Sequence, residues 1–170
     1  MSAVEQFPYC DRNPASGGLD LMPDLPIILR RQTHSLSAVA LVYSGASISV
    51  LPHSLGVQLG FDWNTQKTDI TLAGTLAHVA ARGIVVEAAV GQLAPVRLAL
   101  AWADSDQVPF LLGQFNFFQA FDVCFFRTRK VFEIRQPGAV SSPRSSHHSH
   151  SAASASHSTP KSVLRAQERR

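Results

Sequence analysis

Short apolar runs separated by turn-forming residues are the feature that most limits what this 170-residue chain can fold into. Runs of β-type residues at 25–29, 37–42 and 96–102 are bounded by glycine, proline or polar clusters, and such signals recur about every 8–12 residues, as in β-sandwiches and barrels. One or two short helices are predicted, at 53–59 and, as about one turn, within 115–120. The pattern therefore predicts an all-β barrel or sandwich.

The individual strands follow from the same signals. Residues 25–29 and 37–42 are predicted to pair as a hairpin across 30–35, and 122–126 with 130–134 as a second hairpin across 127–129. Further strands are predicted at 68–72, at 96–102 and at 110–112. The long run 77–90 is predicted to form two strand segments that bend at Gly83.

Composition divides the chain into three parts. Residues 1–24 are polar, contain Asn13-Pro14 and Gly17-Gly18, and are predicted to be an irregular arm. Residues 25–136 carry the apolar runs and form the predicted domain. Residues 137–170 are rich in serine, histidine and arginine and have few apolar residues to bury, so this tail is predicted to be disordered.

The formal net charge of +3 belongs mainly to the tail. Five of the 15 basic residues but one of the 12 acidic residues lie in 137–170, which leaves 10 basic and 11 acidic residues in the rest. The pI of 9.2 therefore gives no reason to expect a nucleic-acid partner. Four of the seven histidines are in the tail without cysteine or acidic ligands nearby, so a solvated tract is expected, with no metal or cofactor.

The expected cellular location follows from the sequence signals for membrane insertion and secretion, which are not found. No apolar run reaches the roughly 18–20 residues that cross a membrane, and the N-terminus lacks the basic and apolar segments of a signal peptide. Cys10 and Cys124 are the only cysteines, and reduced thiols are expected. The chain is predicted to be cytoplasmic and not to bind membranes.

Two motifs carry chemical information. Leu41-Val42 leads into Tyr43-Ser44-Gly45-Ala46-Ser47, and a second apolar stretch follows the turn. Phe110-Leu111-Leu112-Gly113 then precedes the second predicted helix. In this order, with β runs between them, the motifs resemble those of retropepsin-like (retroviral-type) aspartic proteases of the prokaryotic single-domain type. The resemblance covers about residues 25–134.

The resemblance implies a closed β-barrel and a homodimer. Each subunit of such a protease gives one aspartate, and the two carboxylates share a proton, activate a water and cut a peptide bond. Here Ser44 matches the hydroxyl that ties the two turns together, and Gly45 matches the glycine of the tight turn. The implied flap is a hairpin around Ala73-Gly74-Thr75-Leu76. Ala46, Ser47, Gly74, Thr75 and Leu76 are the implied substrate-binding residues.

Tyr43 stands where the family has its catalytic aspartate. A phenol with an ordinary pKa near 10 stays protonated at neutral or acid pH and is a poor base for water. Three explanations remain open: a natural pseudoenzyme that keeps the fold, an isolated change, since one base separates Asp from Tyr codons, or a different family with Tyr43 packing at a strand end. Gln114 and Ser47 also replace the Arg–acid pair of retroviral members.

The resulting functional hypothesis is a retropepsin-like protein that is inactive as a protease but keeps a cleft for a peptide or an unfolded protein segment. One rival is an active aspartic endopeptidase whose aspartate comes from a partner chain or the unmutated parent. Another is a non-enzymatic β-domain adaptor that works through its tail. Serine-type catalysis by His53 or His78 lacks the G-x-S-x-G elbow. The aromatic residues of 115–126 are expected in the core or at a dimer surface.

Overall fold

The computed structural model describes residues 3–137. The predicted disordered tail at 137–170 therefore lies, apart from its first residue, outside the described residues. Within 3–137, no helix has the length and apolar character needed to cross a membrane.

Six strands form a closed barrel, which confirms the predicted all-β class. The strands of this sheet are β4 Asp24–Arg31, β5 His34–Val42, β6 Val50–Leu51, β7 Asp69–Ile70, β8 Ala81–Ala89, β9 Val96–Ala103 and β10 Leu111–Leu112. The barrel strands lie in the order β4-β5-β10-β6-β9-β8, and β8 pairs back onto β4. The short strand β7 extends the sheet beside β8.

The alternation within β4 shows why these residues form a barrel strand. Leu25, Ile27 and Leu29 are almost completely buried, whereas the residues between them are exposed. Side chains of a strand point alternately to its two faces, so one face fills the barrel interior. β4 and β5 pair in antiparallel register as the predicted hairpin, with only Gln32 and Thr33 between the strands.

The first 24 residues are not an irregular arm. They contain β1 Val4–Pro8 and the small hairpin β2 Cys10–Asp11 with β3 Leu21–Met22. β1 pairs with β12 Val131–Arg135, which also pairs with β11 Asp122–Phe126 as predicted. Local sequence gave no sign of β1 because its partner lies more than 120 residues away. The pairing is stabilised by Phe7, whose ring stacks on Phe132 with centroids 5.6 Å apart.

Two other strand predictions need correction. The run 77–90 forms one strand, β8, without a bend at Gly83, and the run 68–72 forms only the two-residue β7. Gly83 serves close packing instead, because its N–H donates to Thr68 O at 2.7 Å and a Cβ there would lie 3.2 Å from Thr68 Cγ2.

The two predicted helices are present but short. α1 His53–Gln58 follows Pro52, and α2 Phe117–Ala120 begins after Asn116, which with Gln119 forms a capping box. Phe117 and Phe121 are buried in the core, where their rings lie 5.2 Å apart. Phe115 and Phe125 are 50% and 40% exposed, so the aromatic segment is divided between core and surface.

Candidate functional site

The turn at Tyr43–Ser47 is held at the mouth of the barrel by main-chain hydrogen bonds. Tyr43 follows directly after β5, and its N–H donates to Leu112 O at 3.0 Å. Ala46 N donates back to Tyr43 O at 3.1 Å and closes a four-residue turn. The chain then leaves through Ile48 and Ser49 into β6.

The second motif runs between the two strands that flank this turn. β10 pairs in parallel with β5 through Leu111 and Leu112, and in antiparallel with β6 through Leu111 and Val50. The two sequence motifs, 68 residues apart between Tyr43 and Leu111, therefore form neighbouring strands in one sheet. β10 therefore holds the strand before the turn and the strand after it in place.

Gly113 and Gln114 extend this contact past the end of β10. Gly113 N donates to Ser49 Oγ at 3.0 Å, and Ser49 is the one buried polar residue among residues 3–137. Gln114 N donates to Ala46 O at 2.8 Å, and its side-chain Nε2 donates to Ser44 O at 2.9 Å. Gln114 thus binds the turn through neutral hydrogen bonds.

The ring of Tyr43 folds back over Gly45. A Cβ atom on Gly45 would lie 2.7 Å from both Cζ and Oη of Tyr43, closer than real Cβ contacts occur. Glycine is therefore the residue that lets the ring rest there. The Tyr43 side chain stays half exposed, so the ring covers the turn without being buried in the core.

A cleft of about 330 Å³ opens above the turn. It brings Tyr43 and Gly45 together with Gly74, Thr75 and Leu76 from the loop between β7 and β8. This loop carries a single 3-10 turn, Gly74–Leu76, where the sequence predicted the tip of a flap. The lining residues are Tyr43, Gly45, Ala46, Ser47, Ile48, Val50, Leu72, Ala73, Gly74, Thr75, Leu76 and Leu111.

Seven of the eight predicted site residues line this cleft, and Ser44 does not. Ser44 instead offers its main-chain carbonyl to Gln114. The apolar walls at Ile48, Val50, Leu72 and Leu111 were not predicted as site residues. Their sequence signal was only the apolar character of the runs beside each motif, which looks the same for core and cleft residues.

The cleft lining carries no carboxylate and no basic side chain. Its one ionisable group is the phenol of Tyr43. Among residues 3–137 there is also no cluster of three or more histidine, cysteine, aspartate or glutamate residues that would hold a metal ion. The chemistry available in the cleft is therefore that of hydroxyls, main-chain groups and apolar surface.

The histidines considered for catalysis lie outside the cleft lining. His53 begins α1, and its ring stacks on Trp102 with centroids 5.2 Å apart. Its Nδ1 is 3.6 Å from Asp104 Oδ1. Nearby, Ser54 N donates to Asp106 Oδ1 at 2.7 Å, and this hydrogen bond lowers the pKa of Asp106 below its ordinary value. These contacts hold the start of α1 against the 104–106 loop.

Comparison with known proteins supports the fold. No family model and no curated protein matches the sequence. Among solved structures, the chain is similar to a retropepsin-like aspartic protease from Rickettsia conorii, with a TM-score of 0.56 and 16% sequence identity. The match covers 80% of this chain and 94% of that protein. The fold is therefore retropepsin-like.

Proposed function

We propose that this chain is a retropepsin-like protein that has lost proteolysis and uses its cleft to bind a peptide or an unfolded protein segment. The observation that carries the proposal is the position of Tyr43. It lies in the turn between β5 and β6, on the floor of a cleft formed with the 74–76 loop. The fold is retropepsin-like, and the cleft lining carries no acidic side chain.

The lining explains why proteolysis is not expected. Water attack on a peptide bond by an aspartic protease needs a carboxylate as base and a carboxylic acid as proton donor. Tyr43 offers one phenolic oxygen in place of the two oxygens of a carboxylate. Ser47 and Thr75, also in the lining, have no basic partner among the cleft residues, so they are not activated as nucleophiles.

A homodimer is part of the proposal, and the free edge of β11 is the surface that supports it. In the three-stranded sheet β1-β12-β11, no strand among residues 3–137 pairs with the outer side of β11. The strand carries no proline, and its only charged side chain is Asp122. Natural proteins protect or pair such apolar edges, because an unpaired edge is a template for another strand.

The register of the sheet identifies which groups are free on this edge. Tyr9 N donates to Lys130 O, so the even-numbered residues of β12 turn their main-chain groups toward β1. The odd-numbered residues then turn toward β11, because these groups alternate sides along a strand. Val123 and Phe125 of β11 consequently present their N–H and C=O groups outward. In antiparallel pairing with a second copy, Val123 of each chain would exchange two main-chain hydrogen bonds with Phe125 of the other chain.

The test of the proposed function is a cleavage assay on an unstructured protein substrate from about pH 4 to about pH 7, so that acid and neutral conditions are both sampled. The chain as given is expected to leave the substrate intact. The Tyr43→Asp variant is expected to cut it, with activity highest at the acid end, because it restores one carboxylate per subunit.

A matched Tyr43→Asn variant, equal in size to the aspartate but unable to ionise, should remain inactive. Folding of all three forms is checked by circular dichroism. Cleavage by the chain as given would overturn the proposal, because the catalytic group would then lie elsewhere. If the folded Tyr43→Asp form is inactive, peptide binding is the remaining part of the proposal, and the binding experiment below decides it.

A further inference from the structure

The replacement of an acid by a phenol changes what the cleft floor can recognise. A carboxylate accepts hydrogen bonds, whereas a protonated phenol also donates one. Among residues 3–137, none of the hydrogen bonds involves the Tyr43 hydroxyl; the turn is held through main-chain groups and Gln114. The half-exposed Tyr43 therefore keeps a free donor in the cleft.

The place of the ring makes this donor part of the floor. Cζ and Oη of Tyr43 lie over Gly45, within 2.7 Å of where a Cβ would be. The ring thus forms a flat apolar surface with a polar end, a combination that suits contact with an extended main chain. Gly45 has no side chain that would displace the ring from this position.

The other residues that line the cleft are uncharged and therefore disfavour a charged ligand. The other eleven residues of the cleft are apolar or carry neutral hydroxyls, with Ser47 and Thr75 as the polar side chains. A charged ligand side chain seated there would lose water without gaining an ionic partner, which is costly. A volume of about 330 Å³ is at the small end for ligand sites, so only a short stretch of chain is held.

We propose that Tyr43 is the recognition residue of this cleft, whose hydroxyl donates to a main-chain carbonyl of an extended, uncharged peptide segment packed on its ring. This inference rests on the proposed function, since it names the ligand class of the same cleft. It adds that binding depends on a donor at residue 43, and that lysine, arginine, aspartate and glutamate are rejected in the seated stretch.

The experiment uses the full 170-residue chain, fluorescently labelled, on an array of capped hexapeptides. Their four central positions run through all combinations of alanine, valine, leucine and phenylalanine. Matched arrays carry one central lysine or glutamate. The best binders are then remeasured in solution by fluorescence anisotropy against the chain as given, Tyr43→Phe and Tyr43→Ala.

Tyr43→Phe keeps the ring and removes only the donor, so it is expected to weaken binding about 3- to 10-fold, the size of one neutral hydrogen bond. Tyr43→Ala removes the ring as well and should weaken binding further. A central lysine or glutamate should weaken binding at least about 10-fold, because the charge has no partner. Replacing the central amide by an ester weakens the carbonyl acceptor and also removes the N–H donor, so binding should weaken more for the chain as given than for Tyr43→Phe.

Three failures are distinguishable. If uncharged peptides bind the chain as given, Tyr43→Phe and Tyr43→Ala equally well, Tyr43 is not the recognition residue, while the peptide-binding function stands. If charged peptides bind as tightly as neutral ones, the ligand class is wrong. If no peptide binds any folded form, both this inference and the proposed peptide-binding function are overturned.

Discussion

Gly113 is the residue on which the geometry of the cleft depends most directly. Its N–H donates to buried Ser49 Oγ, and the chain there passes between the carbonyl oxygens of Ala46 and Ile48. A Cβ at this position would lie 2.7 Å from both oxygens. Since both are main-chain atoms, one in the turn and one directly after it, they cannot move aside without distorting the cleft floor.

Substitution of Gly113 by alanine is therefore expected to lower the free energy of unfolding by about 2–3 kcal/mol, within the range for overpacking. Gly83→Ala is the matched control, because its Cβ would meet the side chain of Thr68 at 3.2 Å rather than main-chain atoms. We expect a smaller decrease in the free energy of unfolding for Gly83→Ala. Urea unfolding of both variants measures the difference. Equal decreases would show that the main chain of the turn can shift to make room for a Cβ at residue 113.

At the scale of elements, β1 shows how a distant partner decides whether a segment is a strand. Phe7 faces the core side of the three-stranded sheet and stacks on Phe132, whereas exposed Gln6 lies on the other face, where its Nε2 donates to Oε1 of partly buried Glu133. A five-residue strand with mixed polarity has little intrinsic preference for the β conformation. β12 supplies both the hydrogen bonds and the apolar surface that β1 needs.

Phe7→Ala is expected to lower the free energy of unfolding by about 2 kcal/mol, less than for a fully buried phenylalanine because Phe7 remains partly exposed. Gln6→Ala, on the opposite face of the same strand, should change it by less than about 0.5 kcal/mol. Thermal or urea unfolding separates the two. Similar small changes in both variants would mean that β1 contributes little to the stability of the sheet.

At the scale of the molecule, the proposed pairing of two β11 edges would centre on Cys124. With Val123 bonded to Phe125 of the second copy, Asp122 lies opposite Phe126 of that copy. The Arg129 guanidinium lies over the Phe126 ring, with Cζ 4.0 Å from the ring centroid. Exposed Asp122 and exposed Arg129 would thus form two symmetric ion pairs across the dimer.

Asp122→Arg is expected to weaken self-association about 10-fold, because it replaces two attractions with two repulsions. The double variant Asp122→Arg with Arg129→Asp should recover most of the affinity, since it exchanges the charges. Sedimentation equilibrium of the full chain measures both. A chain that stays monomeric at every concentration, or a double variant as weak as the single one, would contradict this pairing.

Oxidative cross-linking is an independent measurement of the same pairing. In a Cys10→Ser background, diamide should join two chains through Cys124, because a cross-strand pair of this kind brings two cysteines within disulfide range. Cys10 is the other cysteine of the chain and is exposed. Cross-linking that needs Cys10 and not Cys124 would place the contact elsewhere.

Much of this architecture could be predicted because its signals are local. The β4–β5 hairpin, the β11–β12 hairpin and α1 follow from alternation, turn residues and a proline at the helix start, and each forms between neighbours in sequence. The predictions that were wrong depend on distant contacts. A single continuous β8 exists because β9 pairs with it from Ala81 to Ala88, across Gly83, and β4 pairs with its last three residues. The sequence around Gly83 carries no trace of those partners.

The sequence by itself determined the all-β class, the two motifs and the identity of the residue at the start of the turn, because periodicity, turn chemistry and residue type are properties of short stretches. Tertiary structure decided how these parts meet. Only the insertion of β10 between β5 and β6 places Leu111 beside the turn, and only barrel closure brings the 74–76 loop over Tyr43. Contacts between residues far apart in the chain arise from packing the whole barrel, which no short stretch encodes.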